Sequence, residues 1–315
     1  MDVLNFISWL KSKRQVTTVD ASQTLIPLGL KDPRRSDGYL PGAISVEDLA
    51  GSLTPSYTNC NIPIGDFALD SLTTGFRNIA IGCNTLQDIT DQADNVAIGS
   101  DTLKINAAYN NIGIGTLALY FNTTGSANVS IGVLSMFGNA TGSNNVAIGF
   151  QALYANTVYG QNVAVGSSAL EANNKGGNTA VGYSALRFNQ GWRNIAVGNS
   201  GIDSGFAAAS DNISIGNQTF QSLTTGEFNI GIGTSVMNSC NTGSYNTVIG
   251  NYSTALNFSN TVIIGRNAQA TANNQLVIGS SSTNVGTIAT EALTPTVSWA
   301  VTINGVNYKI PLQIA

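Results

Sequence analysis

The chain contains no histidine, and only 10% of its 315 residues are charged. The first absence removes the commonest general base and metal ligand. The second leaves a net charge of −4 with only 13 Lys and Arg, which excludes the clustered basic surface that nucleic acid requires. Three cysteines, Cys60, Cys83 and Cys240, are odd in number and lack metal-ligand spacing. They are predicted to be small buried residues in a chain made in a reducing cell. No run approaches the ~18 apolar residues of a membrane span. The opening "MDVLNFISWLKSKRQ" reads poorly as a signal peptide. Its apolar stretch is short, Lys11, Lys13 and Arg14 follow it instead of preceding it, and no small-residue cleavage site appears.

What replaces charge is glycine, 34 residues of it, together with Asn, Thr and Ser, and these are arranged in phase. A phrase of Asn, β-branched, small, Ile or Val, Gly recurs along the chain. Its asparagines are Asn61, Asn78, Asn95, Asn111, Asn128, Asn145, Asn162, Asn178, Asn194, Asn212, Asn229 and Asn246. Its glycines are Gly65, Gly82, Gly99, Gly115, Gly132, Gly149, Gly166, Gly182, Gly198, Gly216, Gly233 and Gly250, at intervals of 16 to 18 residues. Two shorter steps reach Gly265 and Gly279, with Thr261 and Gln275 in the asparagine place. Alternation within the phrase predicts a strand with two branched residues on one face and a small one on the other. Four residues beyond each glycine comes another apolar residue, as at Leu86, Leu103 and Met136, and a second glycine often closes the period, as at Gly125 and Gly142. Each period therefore reads as strand, turn, short second strand, turn.

A unit this small buries an apolar face only by stacking on its neighbours, which makes the fold a solenoid. The expected fold class is all-β: a parallel β-solenoid of about 14 coils, on the order of 60–65 Å long at the strand spacing of a sheet. The recurrent asparagines suit an amide ladder running from coil to coil, and the glycines supply positive φ. The small strand residues, Ala80, Ala97, Gly113, Ala147, Ala164, Ala180 and Gly231, let another backbone approach closely, so that face is predicted to be an interface between chains.

These phrases resemble the head repeats of trimeric autotransporter adhesins. They are closer to the "NTAIG…AL…NTTG" repeats of bacteriophage tail-fibre and related virion proteins. The resemblance covers residues 59–279. It implies a left-handed β-roll, three chains side by side, and use as a stiff adhesive stalk in a virion. The 16–18-residue spacing departs from the shorter adhesin repeat and requires longer turns. Nothing resembles the adhesin family's membrane anchor, which favours the virion version, although a bacterial surface adhesin stays open.

Residues 1–55 differ from the rest, and they resemble the N-terminal segment of several phage structural proteins with unrelated remainders. The segment holds six basic and six acidic residues, among them Arg34, Arg35, Glu47 and Asp48. The expected organisation is an attachment segment over 1–55, the roll over 56–280, and a capping β-hairpin over 281–315. The hairpin is signalled by Asn304-Gly305 between two alternating runs. The implied partners are further copies of the chain, other virion proteins through residues 1–55, and a host-surface glycan or protein as an optional contact.

Candidate chemistry is sparse, and no catalytic residue, cofactor or metal is predicted. Gly113-Ile114-Gly115 and Gly231-Ile232-Gly233 lack a third glycine and a following helix, so they are not nucleotide loops. Asp88, Asp91 and Asp94 share one turn that reads as a solvated acidic turn or, less simply, a calcium site. From residue 56 onward there are eleven carboxylates, with no pair placed for glycan cleavage. Tyr154, Tyr159, Phe188 and Trp192 fall in turns where rings are able to stack on sugars.

Overall fold

A computed structural model describes residues 58–202, 208–280, 297–303 and 306–312. The attachment segment expected over 1–55 and the Asn304-Gly305 turn lie outside the described residues, as does the chain joining residue 280 to the hairpin.

Fourteen three-residue strands form one parallel sheet in strict chain order. They are Ile62–Ile64 (β1), Ile79–Ile81 (β2), Val96–Ile98 (β3), Ile112–Ile114 (β4), Val129–Ile131 (β5), Val146–Ile148 (β6) and Val163–Val165 (β7). They continue as Thr179–Val181 (β8), Ile195–Val197 (β9), Ile213–Ile215 (β10), Ile230–Ile232 (β11), Thr247–Ile249 (β12), Val262–Ile264 (β13) and Leu276–Ile278 (β14). Register is set by the phrase itself: Val129, Ser130 and Ile131 pair with Val146, Ala147 and Ile148. The parallel β-solenoid is therefore present, with one strand per phrase. Strands Val297–Ile303 (β15) and Val306–Leu312 (β16) form an antiparallel pair in which Ile303 faces Val306, as the two-residue turn predicts.

The period contains one strand, not two. After each strand glycine from Gly65 to Gly233 the chain runs through consecutive turns in which the second and fourth residues take left-handed backbone, as Gln151 (φ 55°) and Leu153 (φ 51°) do after Gly149. Positive φ at alternate positions is incompatible with a strand. These turns still stack, through bonds such as Leu103 N–H to the Ala118 carbonyl at 3.0 Å. A left-handed leucine costs roughly 1–2 kcal/mol. Full burial of its side chain returns roughly 1.5–3 kcal/mol, so packing decides the backbone. Leu86, Leu103, Leu119, Leu153, Leu170 and Leu186 are all fully buried.

Those leucines determine which strand face lies inside. Ala80, Ala97, Ala147, Ala164, Ala180 and Ala196 are fully buried within the coil, while the branched residues on either side point outward. The expectation that the small residues form an interface between chains is thus overturned. They are small because the turn leucine already fills a narrow cross-section. Size complementarity makes the point: Phe220 takes the leucine place in its coil, and the strand residue beside it is Gly231. A β-carbon added at Gly231 would lie 2.7 Å from the Phe220 ring. In the two short coils at the end, the strand carries the volume instead, with Val248 and Ile263 inward and Ala255, Ala268 and Ala270 in the turns.

Replacing Gly231 with Ala is expected to cost about 1–3 kcal/mol through overpacking. The same change in a Phe220→Leu background should cost much less. A double-mutant cycle in thermal denaturation checks this coupling.

The strand glycine has a separate role. Gly82 adopts φ +128°, and a β-carbon there would sit 2.1 Å from the Gly99 carbonyl oxygen. Glycine is required for both reasons, and the requirement repeats because each coil stacks on the next.

Candidate functional site

Two features run the length of the roll and depend on the repeated residues: internal amide ladders and an external aliphatic face. In the first ladder the asparagine side chain bridges coils mainly through backbone. Asn128 Oδ1 accepts the Asn145 N–H at 3.0 Å, and Asn128 Nδ2 donates to the Gly142 carbonyl at 2.9 Å. Direct amide-to-amide bonds occur at some steps, such as Asn145 Nδ2 to Asn128 Oδ1 at 3.2 Å and Asn246 Nδ2 to Asn229 Oδ1 at 3.0 Å. The asparagines are buried, and Thr261 continues the column by donating its hydroxyl to Asn246 Oδ1 at 2.7 Å.

A second ladder was not anticipated. Asn106, Asn122, Asn139, Asn156, Asn173 and Asn189, seven residues beyond successive strand glycines, are also buried. Asn139 Nδ2 donates to Asn122 Oδ1 at 2.7 Å, and Asn189 Nδ2 to Asn173 Oδ1 at 3.1 Å. In flanking coils the same column is apolar: Ile89, Leu223 and Cys240. Six asparagines in one phase are readable in the sequence, but the louder Asn-to-Gly phrase conceals them.

Cys240 is the one cysteine that is buried; Cys60 and Cys83 are exposed, against expectation. They sit at the edges of turns, where no core position is available. Burial pushes the Cys240 thiol up to about 11. The unfolded thiol ionises near its ordinary value of about 8.5. Stability contributed by the neutral buried thiol is therefore full below that pH and is lost as pH rises towards 11. A Cys240→Ala variant should lack this alkaline loss in denaturant titrations, and a thiol reagent should label Cys60 and Cys83 well before Cys240.

The outer face is built from the first and third residue of every strand. Of these 28 positions, 26 are Ile, Val or Leu, the exceptions being Thr179 and Thr247. None is charged. The third-position column is the more exposed, with Ile148 at 38%, Ile264 at 45% and Ile278 at 62%, although Ile81, Ile98, Ile114, Ile131 and Val165 are half-buried. The face extends for on the order of 60 Å, at one strand spacing per coil. Contiguous apolar surface on that scale is uncommon on soluble monomers.

The remaining candidates occupy separate places. The Asp94 carboxylate takes two hydrogen bonds from Arg77, at 2.6 and 2.7 Å, which hold it below the usual carboxylate range. Asp91 accepts from Gln92 Nε2 at 2.5 Å. Among the described residues no group of three or more His, Cys, Asp or Glu is placed to hold a metal ion. Gly113 and Gly231 lie inward in β4 and β11, so neither belongs to a phosphate loop. Tyr154 stacks on Phe137 at 5.4 Å, which itself stacks on Tyr120 at 5.6 Å. The Arg187 guanidinium covers Phe188, while Trp192 meets Tyr159 edge-to-face at 5.3 Å. Among the described residues no helix is long and apolar enough to cross a membrane. Comparison of the chain with family models, curated proteins and solved structures gives no match.

Proposed function

We propose that the chain is a structural fibre or spike of a virion, such as a tail fibre, in which three copies pack side by side into a stiff rod. The observation that carries this reading is the aliphatic face, whose third-position column is Ile or Val in all fourteen strands. An isolated solenoid has no use for outward Ile and Val in every coil, whereas a bundle of parallel rods buries them. The contact is thus assigned to the branched residues instead of the alanines. A left-handed winding and the placement on a phage particle follow from the repeat's resemblance to virion and adhesin repeats. Residues 1–55, with their concentrated charge, are the segment that docks on the particle, and the far end is left free to meet a host. The scaffold acts by geometry, presenting a rigid rod, and no catalytic step is proposed.

Purified particles imaged with a labelled antibody to this chain test the placement. Label is expected on an appendage, and a variant lacking residues 1–50 should fold yet be missing from particles. Normal incorporation of the truncated chain would contradict the docking role.

A further inference from the structure

The regular turns on one side of the roll are interrupted over four successive coils. There a groove of about 540 Å³ opens, lined by residues including Asn144, Gln161, Gly176, Gly177, Trp192 and Arg193. Its volume falls within the range of small-molecule sites. At strand spacing, four turns span about 14 Å, longer than a single pyranose ring.

The interruption is local and sequence-encoded. The residue before each phrase asparagine forms an exposed column that carries Asn144, Gln161, Gly177 and Arg193 in successive coils. Gly177 is the gap in that column, and Gly176 beside it lets the Trp192 ring lie close. A β-carbon at Gly176 would come within 3.3 Å of that ring. The wall is aromatic: Trp192 is 40% exposed, and Tyr159 braces it edge-on. The Lys175 ammonium lies 5.3 and 5.4 Å from the two ring centres. The first amide ladder keeps its bonds from backbone N–H to Oδ1 through Asn162, at 3.0 Å on either side, but loses a side-chain bond here. Asn145 Nδ2 reaches the Tyr159 carbonyl at 3.1 Å, but Asn162 Nδ2, one coil on, has no hydrogen-bond partner among the described residues. Asn156 Oδ1, in the same coil, has none either. Both residues are fully buried. The turn has departed from the geometry that satisfies these atoms elsewhere.

We infer that this groove binds a neutral oligosaccharide. The lining supplies what a pyranose needs at once: an exposed indole for its C–H face, amides of Asn144 and Gln161 for its hydroxyls, and a notch at Gly177 where the column lacks a side chain. The one cation in the lining, Arg193, is already neutralised by two bonds to Asp211, at 2.6 and 2.8 Å, so the lining itself holds no open charge for an anionic polymer. The charge of Lys175, beside the rings, is what an anionic probe tests. A purely apolar ligand would leave the Asn144 and Gln161 amides unpaired. The inference supplies a ligand class for the surface contact of the proposed rod, yet it stands on the groove alone.

The test uses the full chain with maltotetraose, cellotetraose, chitotetraose and tetragalacturonate as probes, read by calorimetry and tryptophan fluorescence. At least one neutral tetrasaccharide is expected to bind. Trp192→Ala should weaken that binding by about tenfold or more, the effect typical of a truncated aromatic anchor. Gly177→Gln should weaken it comparably by filling the notch. Gln161 shows that this side chain tolerates the left-handed backbone of the column, and the variant keeps the test valid if Trp192→Ala misfolds. Sedimentation mass should stay unchanged in both. The inference is overturned if no neutral probe binds at millimolar concentration, if only tetragalacturonate binds, or if both variants bind as the wild type does. It is equally overturned if Trp192→Ala alters the number of subunits without altering binding, which would place the groove in a chain–chain contact. Loss of the trimer in the wild type would sink the rod reading and leave the groove standing.

Discussion

Lysine placed together at Ile131, Ile148 and Val165 is expected to split the proposed trimer into folded single chains. All three side chains point out of β5, β6 and β7, and the lysines would follow one another at the spacing of adjacent strands. On a lone rod the exchange is cheap, since an exposed sheet position tolerates lysine within about 1 kcal/mol. Between packed rods it buries unpaired charge, at several kcal/mol per ion after relaxation. The two situations differ enough for sedimentation to read the outcome as a drop to one third of the mass. Ala164→Leu is the control from the opposite face. Ala164 is fully buried in its own coil, so leucine should lower the melting temperature by overpacking, worth about 1–3 kcal/mol, without changing the number of subunits. Should the triple lysine variant keep its mass, the aliphatic face is not the contact.

The second large effect is expected inside the coil. Asn128→Leu preserves volume but removes the acceptor for the Asn145 N–H, a buried backbone donor with no alternative in the strand register. It also strips the Asn145 amide of one partner. Leaving buried groups unsatisfied costs about 1–3 kcal/mol each, so a loss of about 3 kcal/mol per chain is expected in thermal denaturation followed by circular dichroism. The second ladder should behave differently. Changing Asn139 alone to Leu strands Asn122 Oδ1, but replacing all six of its asparagines by Leu or Ile removes the amide-to-amide donors and acceptors together, while turn carbonyls such as Gly125 and Gly142 keep the Nδ2 groups of Asn111 and Asn128 at 2.9 Å. Ile89 and Leu223 already occupy that column in other coils. The block replacement should therefore cost less per residue than the single change, whereas no such rescue is available to the first ladder, whose Oδ1 atoms accept backbone N–H groups.

These contrasts show where the sequence was legible. Phase was plain: each Asn-to-Gly phrase became one strand, from Ile62 to Ile278, because glycine and the amide ladder impose one register on every coil. Orientation was not. Alternation separates two faces but does not say which is inside, and ranking residues by hydrophobicity places Ile within. The deciding residue lay outside the strand, in the leucine four places on, whose left-handed backbone turns it into the coil and leaves room opposite for small residues, Ala, Ser or Gly. The pairing of Phe220 with Gly231 carried that information. The absence of a second strand was hidden for a related reason, since leucine in left-handed backbone contradicts its ordinary preference and only stacking stabilises it. The groove at Trp192 was visible as aromatics in turns, but the gap beside them arises from which column Gly177 occupies.

The central claim is that this solenoid works as a bundle held through its branched face, and sedimentation equilibrium of the unmodified full chain tests it most directly. The account predicts a single species at three times the chain mass of 32.7 kDa, unchanged on dilution to nanomolar concentration. A stable, folded species at the mass of one chain, its aliphatic face open to solvent, would contradict it.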